Sequence, residues 1–528
     1  MLSIFSKTEA MAFPLIISLQ HYTTSSLLIA FLSLAITYFL VRFNTWYYEP
    51  KLKSGQAPLP PGSMGLPIFG NMFSFLLAFR RGDPQSFIGN YIKRYGKRDL
   101  YKGFMFGQPT ILAVSHEACK LVLMGEEQFV SGWPASTLAL MGRKAFTSLA
   151  PHEHKRLRKL TASTLNGPVA LRRFMPVLQF YITRALSQWS SSTHPIPLLM
   201  ELRKLTFQII AEIFMGCKPG ERCNALEQQY QKLNVGVRAM PIRFPGTAYH
   251  TALKCRKGLV KLLQQVLDDR KSSTRQQNSD YFDDTLEVLM AAKDEEGNTL
   301  TDEEIIDVLL MYLNAGHESS AHTIMWILIN LKNNSQAWEK VEREQLLIRQ
   351  SKGANKSLDF EDFRKMKYTS QVIDETLRLI NISPMVFRKS LTDVEMNGYT
   401  IPKGWHVQAW MRQVHLDPDV YNDPLAFNPD RWENFIPRQG TFIPFGAGVH
   451  MCPGNDFAKL EMSIFLHYAI LDYVIQPQNP HAEIVYLPHP KPKDNYPVHV
   501  FKREVFFQRK HADAQSQQAQ QTGQLYSN

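Results

Sequence analysis

The chain has 528 residues, of which 44% are hydrophobic and 20% charged, so it is long enough for one large catalytic domain. The formal net charge is +11, but no basic motif is interleaved with aromatic residues, which argues against a nucleic-acid-binding protein. The positive excess suits an anionic membrane surface or an acidic redox partner. The five cysteines show no paired spacing of the kind that zinc sites use.

The N-terminal region carries a long apolar stretch. Residues 10–41 contain no Lys, Arg, Asp or Glu, and residues 23–41 can form one membrane-spanning helix, which needs roughly 20 residues. Arg42, the aromatic residues 46–48, Lys51 and Lys53 follow, in the order of an interfacial belt and a positive cytosolic flank. The pattern predicts a single-pass anchor with the rest of the chain in the cytosol. The alternative, a cleaved signal peptide, lacks a small-residue cleavage site and has the wrong charge order.

The repeated prolines of residues 58–70 exclude a helix and indicate a stiff hinge, with a generic extended linker as the alternative. No internal repeat or long linker follows. We therefore expect a membrane anchor with its interfacial segment at 1–48, a basic and proline-rich hinge at 49–70, a catalytic domain at 71–510 and a disordered tail rich in Gln and Ala at 511–528.

A long helix is predicted from the capping box of Thr301 and Glu304 to about residue 331. Small and polar residues interrupt its apolar pattern at 315–320, and Gly316 costs roughly 1 kcal/mol relative to Ala in a helix. Either close helix packing or a functional site explains this glycine. His317 and His322 resemble a zinc protease motif, but they are five apart and lie about 140° from each other around the helix.

Three further patterns involve charged or strand-like residues. Glu375 and Arg378 are three apart on a predicted helix, the spacing of a solvated ion pair or of a buried one, and Arg431 follows in an aromatic segment. His154 and Arg158 share a helical face within a basic run. Residues 394–410 alternate like strands, with an Asn-Gly hairpin signal and a second turn at 402–404, so a small sheet accompanies a largely helical fold.

The most informative segment is the glycine-rich turn at 445–454, where Cys452 precedes a predicted helix starting near Asn455. We expect Gly446, Gly448 and Gly454 to allow positive φ angles and close backbone approach to a flat group. The unpaired amides of a helix N-terminus favour thiolate over thiol. A structural cysteine in a Gly/Pro turn is the alternative.

The spacing Phe-x-x-Gly-x-His-x-Cys-x-Gly resembles the haem loop of cytochromes P450. The resemblance implies that Cys452 is the axial thiolate ligand of the iron of haem b, within a loop that includes Phe445, Gly448 and Gly454. His450 stands where most of that superfamily has an arginine facing a haem propionate. By the same resemblance the other propionate candidates are Arg158, Arg388 and His154, which replaces the usual Trp.

Two other segments carry the same resemblance. Residues 315–320 are similar to the acid-alcohol segment of the central P450 helix, which implies that Ala315 and Gly316 leave space for oxygen while Glu318 and Ser319 deliver protons. Ser319 stands where most members have Thr. Glu375, Arg378 and Arg431 are similar to the Glu-x-x-Arg motif and its arginine partner, a buried network whose loss would prevent haem incorporation. Lys155, Arg156 and Lys159 would receive an acidic reductase.

Longer stretches resemble plant ent-kaurenoic acid oxidases, namely residues 201–207, 236–240, 313–326, 372–378 and 397–404. The likeness implies a mainly α P450 fold with small β-sheets behind an N-terminal transmembrane helix. It also implies a monooxygenase of the endoplasmic reticulum membrane, which takes NADPH electrons from a cytochrome P450 reductase and uses O2. Its expected substrate is an apolar terpenoid, ent-kaurenoic acid, oxidised in several steps toward gibberellins.

Substrate contacts are expected from residues 133–141, 235–244 and 383–387 and from Leu313 and Asn314, with Arg238 or Arg243 as candidate partners of a carboxylate. Three alternatives stay open. They are a triterpenoid or steroid hydroxylase of the same clan, a reductase-independent isomerase or dehydratase with the P450 fold, and a haem-binding sensor or carrier.

Overall fold

Helices form most of the protein in a computed structural model, which describes residues 26–40, 42–237, 239–272, 284–353, 356–487 and 489–508. In chain order the helices are α1 Ser26–Tyr48, α2 Met72–Arg80, α3 Gln85–Tyr95, α4 His116–Met124, α5 Ala135–Met141, α6 Pro151–Leu165, α7 Pro168–Ser190, α8 Leu198–Met215, α9 Glu221–Val237, α10 Ala248–Ser272, α11 Thr285–Ala291, α12 Asp302–Lys332, α13 Ser335–Lys352, α14 Phe360–Lys365, α15 Lys367–Ile380, α16 Met411–His415, α17 Arg431–Asn434 and α18 Asn455–Asp472. The tail predicted at 511–528 lies outside the described residues.

Short strands complete the secondary structure: β1 Leu100–Met105, β2 Gln108–Ala113, β3 Phe129–Ser131, β4 Ile196–Pro197, β5 Val386–Ser390, β6 Val394–Met396, β7 Tyr399–Ile401, β8 His406–Ala409, β9 Tyr473–Pro477, β10 Ile484–Val485, β11 Lys491–Pro492 and β12 Pro497–Lys502. The largest sheet has the order β1-β2-β8-β5-β3, with β2 and β8 parallel and the other pairs antiparallel. The predicted hairpin is confirmed, because Asn397 and Gly398 join β6 to β7 with φ angles of 52° and 77°.

Helix α12 lies at the centre of the fold, packed against α8, α10, α15 and α18. The predicted capping box is confirmed, since the Thr301 hydroxyl accepts a bond from the Glu304 amide and the Glu304 carboxylate accepts one from the Thr301 amide. The helix has 31 residues, most of them buried. Because its apolar residues occupy all sides of the helix, it suits a core position instead of the protein surface.

Helix α1 fits a membrane anchor, since it is exposed and is the one helix among the described residues long and apolar enough to span a bilayer. Its last turns contact the domain: the Asn44 side-chain amide donates to the carbonyls of Met64 and Leu66, and the Tyr48 ring lies 4.9 Å from that of Phe104. The segment that follows is non-helical, as expected, but it is not a free linker. Its Pro58 and Pro61 carbonyls accept bonds from β7 and β1, so it packs along the sheet.

A buried ion cluster joins α15 to the loop before α17. Arg378 is fully buried, and its side chain donates to both oxygens of Glu375 at 2.8 and 2.9 Å and to the carbonyls of His415, Pro424 and Ala426. The Glu375 carboxylate also accepts bonds from Arg431 at 3.0 Å and from the indole of Trp432 at 3.0 Å. All five N–H donors of Arg378 are therefore satisfied.

Glu375→Gln should destabilise the protein by about 3–5 kcal/mol, because it leaves two guanidinium groups without their shared carboxylate. The free energy of unfolding from urea titration measures the effect. Glu361→Gln is the matched control, since Glu361 makes only surface pairs with Arg172 and Arg364. Equal midpoints for the two variants would contradict the assignment.

Candidate functional site

The Cys452 loop is held by backbone bonds and by close packing. The Cys452 amide donates to the Phe445 carbonyl at 2.9 Å, and a short 3-10 turn spans Gly448–His450. Gly448 has a φ of 69°, and a Cβ there would lie 2.5 Å from the Leu123 carbonyl oxygen, so only glycine fits. Gly446 also has a positive φ, of 75°. The expectation is wrong for Gly454, whose φ is −99°, a value open to any residue.

The Cys452 sulfur experiences opposing effects. Helix α18 begins at Asn455, as predicted, and the Gly454 amide and the Arg158 charge favour the thiolate. Burial nevertheless raises the pKa of the thiol above its usual value, because desolvation penalises the charged form more than these groups stabilise it. A coordinating metal cation reverses that balance, since a metal-bound thiol loses its proton.

Ala315 and Ser319 form an exposed strip on α12, although the residues around them are mostly buried. The Ser319 hydroxyl donates to the Ala315 carbonyl at 2.8 Å. A Cβ at Gly316 would meet Ile210 at 3.6 Å, which is ordinary contact, so helix packing does not require this glycine. The functional explanation of the small residues is thereby favoured over the packing one.

Glu318 points toward a partner that the sequence reasoning missed. Its carboxylate accepts a bond from the Arg203 guanidinium of α8 at 2.5 Å, and both side chains are mostly removed from solvent. Beside this pair, the Thr206 hydroxyl donates to the His317 carbonyl at 2.8 Å. Arg203 lies 115 positions from Glu318, so no local spacing could have revealed the pair.

The two histidines of the zinc-like pattern are engaged separately. His317 donates through Nδ1 to the Leu313 carbonyl and contacts Asn234 through Nε2, at 2.7 and 3.1 Å. His322 donates through Nδ1 to the Glu318 carbonyl at 2.7 Å. The structure therefore gives the two rings different partners.

The predicted propionate residues form a cluster of nitrogen groups. The rings of His154 and His450 lie 4.1 Å apart, and the Arg158 guanidinium donates to the Met451 carbonyl. Burial lowers the pKa of His154 to about 4, and the charges of Arg158 and Arg388 are the next causes. Burial also lowers the pKa of His450 to about 3, followed by Arg388 and His154. In the protein alone, burial and the guanidinium charges therefore favour the neutral form of both imidazoles.

The surroundings of Arg388 bear on whether these residues fit a haem. It is 5% exposed, burial lowers its pKa to about 10, and its guanidinium bonds only to its neighbour's carbonyl, that of Phe387. Among the described residues no acidic side chain pairs with it. A buried arginine without a carboxylate fits a bound group that carries its own carboxylates, as haem does.

Two residues of the basic segment of α6 are paired with acidic side chains. Arg156 pairs with Asp294 at 2.8 Å and with Glu304 at 2.9 Å, and Lys159 pairs with Glu295. Acids thus offset the positive charge of these two residues, although Lys159 and its partner Glu295 are both exposed. A role of this segment toward a reductase stays a prediction. Lys155 is exposed.

Some of the segments predicted to contact substrate lie close together. The Trp133 and Phe387 rings lie 5.0 Å apart, and the Asn314 amide lies 3.8 Å from the Met141 sulfur. Within residues 235–244, Val235 and Phe244 are largely exposed. Arg238 lies outside the described residues.

Comparison with known proteins agrees with this geometry. The cytochrome P450 family model matches residues 60–489. Ent-kaurenoic acid oxidase 1 of Arabidopsis thaliana is 48% identical over 86% of this chain and 93% of its own length. A 7,8-epoxymelianol synthase of Ailanthus altissima is 42% identical over 88% of this chain and 94% of its own length.

A solved structure has the same fold. The retinoic acid-bound cyanobacterial CYP120A1 superposes with a TM-score of 0.74 and 29% sequence identity, covering 85% of this chain and 100% of that one. The family match covers most of the described domain, including the Cys452 loop and α12. The chain belongs to the cytochrome P450 family.

Proposed function

We propose that this P450 monooxygenase oxidises ent-kaurenoic acid, in successive steps at one carbon, as part of gibberellin biosynthesis. The observation that carries the proposal is the 48% identity, over nearly the whole described domain, to oxidases named for that substrate. The apolar rings of Trp133 and Phe387 suit a hydrocarbon skeleton. The substrate carboxylate has Arg243 as its candidate partner within the described residues.

A second candidate substrate class is a triterpenoid or steroid. The relatives named 7,8-epoxymelianol synthases support it, at 42% identity. A reductase-independent isomerase or dehydratase is less favoured, because Glu318 and Ser319 retain the acid and hydroxyl that oxygen reduction needs.

The haem, when bound, supplies oxygen activation, and the residues of this chain hold it and manage protons. Cys452 provides the thiolate ligand within the Phe445 to Gly454 loop. His154, Arg158, Arg388 and His450 would hold the propionates, the imidazoles as hydrogen-bond donors.

Ala315 and Gly316 would leave space beside this group, and Ser319 presents a hydroxyl at the exposed strip. Glu318 would relay protons from water. The bond from Arg203 orders the Glu318 carboxyl group, so proton transfer toward Ser319 requires the carboxyl group to leave this partner or to pass the proton through water.

The cellular arrangement belongs to the same proposal. Helix α1 spans the endoplasmic reticulum membrane once, with residues 71–510 in the cytosol as the catalytic domain, residues 1–48 as the anchor and residues 49–70 as the connecting segment. Electrons come from NADPH through a cytochrome P450 reductase on the same membrane surface. The net charge of +11 favours an acidic partner.

Cys452→Ser should abolish the thiolate-type Soret band of the reduced, carbon monoxide-treated protein, because serine cannot supply the sulfur ligand. Cys255→Ser is the control, since Cys255 is a half-buried free thiol on α10, which packs chiefly against α9. A thiolate-type band that survives in Cys452→Ser would refute the ligand assignment.

Ser319→Ala and Glu318→Gln should each raise the hydrogen peroxide released per product by roughly tenfold or more, since general acid catalysis contributes about 10²–10⁴ to rate. NADPH consumption, peroxide and product are measured together. Thr323→Ala, four residues further along α12, is the control, because its hydroxyl bonds only to the Ser319 carbonyl. An unchanged ratio in both site variants would contradict the relay.

Microsomes that contain the protein and its reductase should convert ent-kaurenoic acid to oxidised products detected by mass spectrometry. A triterpenoid panel run in parallel tests the second candidate. No product from any diterpenoid acid, with turnover of a triterpenoid, would replace the first proposal with the second and leave the monooxygenase class unchanged.

A further inference from the structure

Asp307 is a buried acid of α12 that the proposed mechanism does not use. It lies two turns before Ala315, about 12 Å along the helix axis, and it is 2% exposed. One oxygen of its carboxylate accepts a bond from the Arg256 guanidinium of α10 at 2.8 Å, and the other accepts one from the Lys144 backbone amide at 3.0 Å. One side chain of α12 is therefore bonded to two separate parts of the fold.

The end of α5 is shaped to receive this carboxylate. Gly142, the first residue after α5, has a φ of 120°, a conformation that residues with a Cβ rarely adopt. A Cβ at Gly142 would lie 2.2 Å from the Asp307 carboxyl carbon, so a side chain there would push the acid away from its partners. The Gly142 amide also caps α5, since it donates to the Leu138 carbonyl at 3.0 Å. Asp307 and the end of α5 therefore fit together closely.

Helix α5 connects this junction to the expected substrate site. It occupies most of residues 133–141, and the sulfur of its last residue, Met141, lies 3.8 Å from the Asn314 amide of α12. Helix α10 contacts α5 as well, since the Tyr249 hydroxyl donates to the Ser136 carbonyl at 3.3 Å. The carboxylate on α12 therefore joins a segment expected to contact substrate to a helix that packs against it.

An ion pair that only stabilises the fold is the competing explanation, and α10 offers one for comparison. Arg270 bonds to Asp284 at 2.7 Å and to Glu287 at 2.6 Å. Asp284 is as buried as Asp307, and its arginine partner is about as exposed as that of Asp307. Asp284 caps α11, however, which packs against α6 and α8. The two pairs share their chemistry and burial, and they differ in the element that they hold.

We propose that Asp307 is a positioning residue for the substrate, which holds the end of α5 and the Arg256 side chain of α10 against α12. The inference rests on the proposed function, since it takes α5 as a wall of the substrate site. The junction fixes the distance between α5 and the strip of α12 that carries Ala315 and Ser319. Because an apolar substrate offers few polar groups, its orientation depends on the shape of such walls. When the junction is broken, α5 moves away and the substrate binds more weakly and in more than one orientation.

Asp307→Asn, Arg256→Gln and Arg256→Lys test the junction in the full-length, haem-loaded protein. Asparagine keeps the shape of the acid and removes its charge, glutamine removes the charge of the partner, and lysine retains that charge without the guanidinium fork. Arg270→Gln is the matched control, because it breaks the comparable pair on the same helix. KM and kcat for ent-kaurenoic acid, the product distribution and the unfolding midpoint in urea are measured for each variant. If the parent oxidises a triterpenoid instead, KM and kcat are measured for that compound.

We expect Asp307→Asn and Arg256→Gln each to raise KM by roughly tenfold, within the factor of about a hundred that a small misplacement can cost. The fall in kcat should be smaller and a second product should appear, because the haem ligand and the relay residues keep their places. Arg256→Lys should recover most of the parent KM. Arg270→Gln should lower the unfolding midpoint as Arg256→Gln does and keep the parent KM. Equal KM values in Arg256→Gln and Arg270→Gln overturn the proposal.

Hydrogen exchange gives a reading that needs no turnover. The backbone amides of α5 should exchange roughly fivefold faster or more in Asp307→Asn and Arg256→Gln, since local opening controls exchange, and at the parent rate in Arg270→Gln. Unchanged exchange of α5 in Arg256→Gln overturns the junction even if Asp307→Asn does not fold, and faster exchange with the parent KM overturns the positioning role. A parent protein that oxidises neither ent-kaurenoic acid nor a triterpenoid would instead refute the proposed function, and the exchange of α5 would still decide the junction.

Discussion

The bidentate bond between Arg378 and Glu375 anchors a chain of buried hydrogen bonds that leads to the Cys452 loop. Arg378 also donates to the His415 carbonyl, and the His415 Nε2 accepts the Ile443 amide at 2.9 Å. Burial lowers the pKa of His415 to about 3, so this nitrogen stays available as an acceptor at neutral pH. The Ile443 carbonyl in turn accepts the Gly446 amide, at the start of the Cys452 loop. Because these bonds lie in a low-dielectric interior, a change at Glu375 reaches the loop through fully buried groups.

This chain departs from the usual P450 pattern at two histidines, and the two lie side by side in the structure. His154 and His450 are far apart in sequence, yet their rings are in contact. A cationic arginine beside Arg158 and Arg388 would concentrate positive charge in a buried region more than an imidazole does. In the proposed site the two rings would supply hydrogen-bond donors, and Arg158 and Arg388 would carry the electrostatic attraction.

Local sequence signals predicted local features well. The capping box and apolar pattern gave the bounds of α12 within one or two residues, and the Asn-Gly pair gave the β6–β7 hairpin. The Cys452 loop was recognisable because its glycine spacing is itself local, and the ligand role of Cys452 stays a prediction. These successes share one cause, since capping, turn geometry and periodicity act over a few residues.

Long-range pairing was not predictable. The Arg203 bond to Glu318 and the contacts of Arg156 with Asp294 and Glu304 join residues more than a hundred positions apart, and no periodicity encodes them. The φ of Gly454 was wrong because the helix begins directly after it and imposes an ordinary backbone.

The contacts of Asn44 and Tyr48 tie the last turns of α1 to the domain, through the carbonyls of Met64 and Leu66 and the ring of Phe104. If α1 spans a bilayer, as we propose, its tilt would set the height and direction of the domain. Membrane thickness governs helix tilt, so it would also bear on how the domain sits against the lipid.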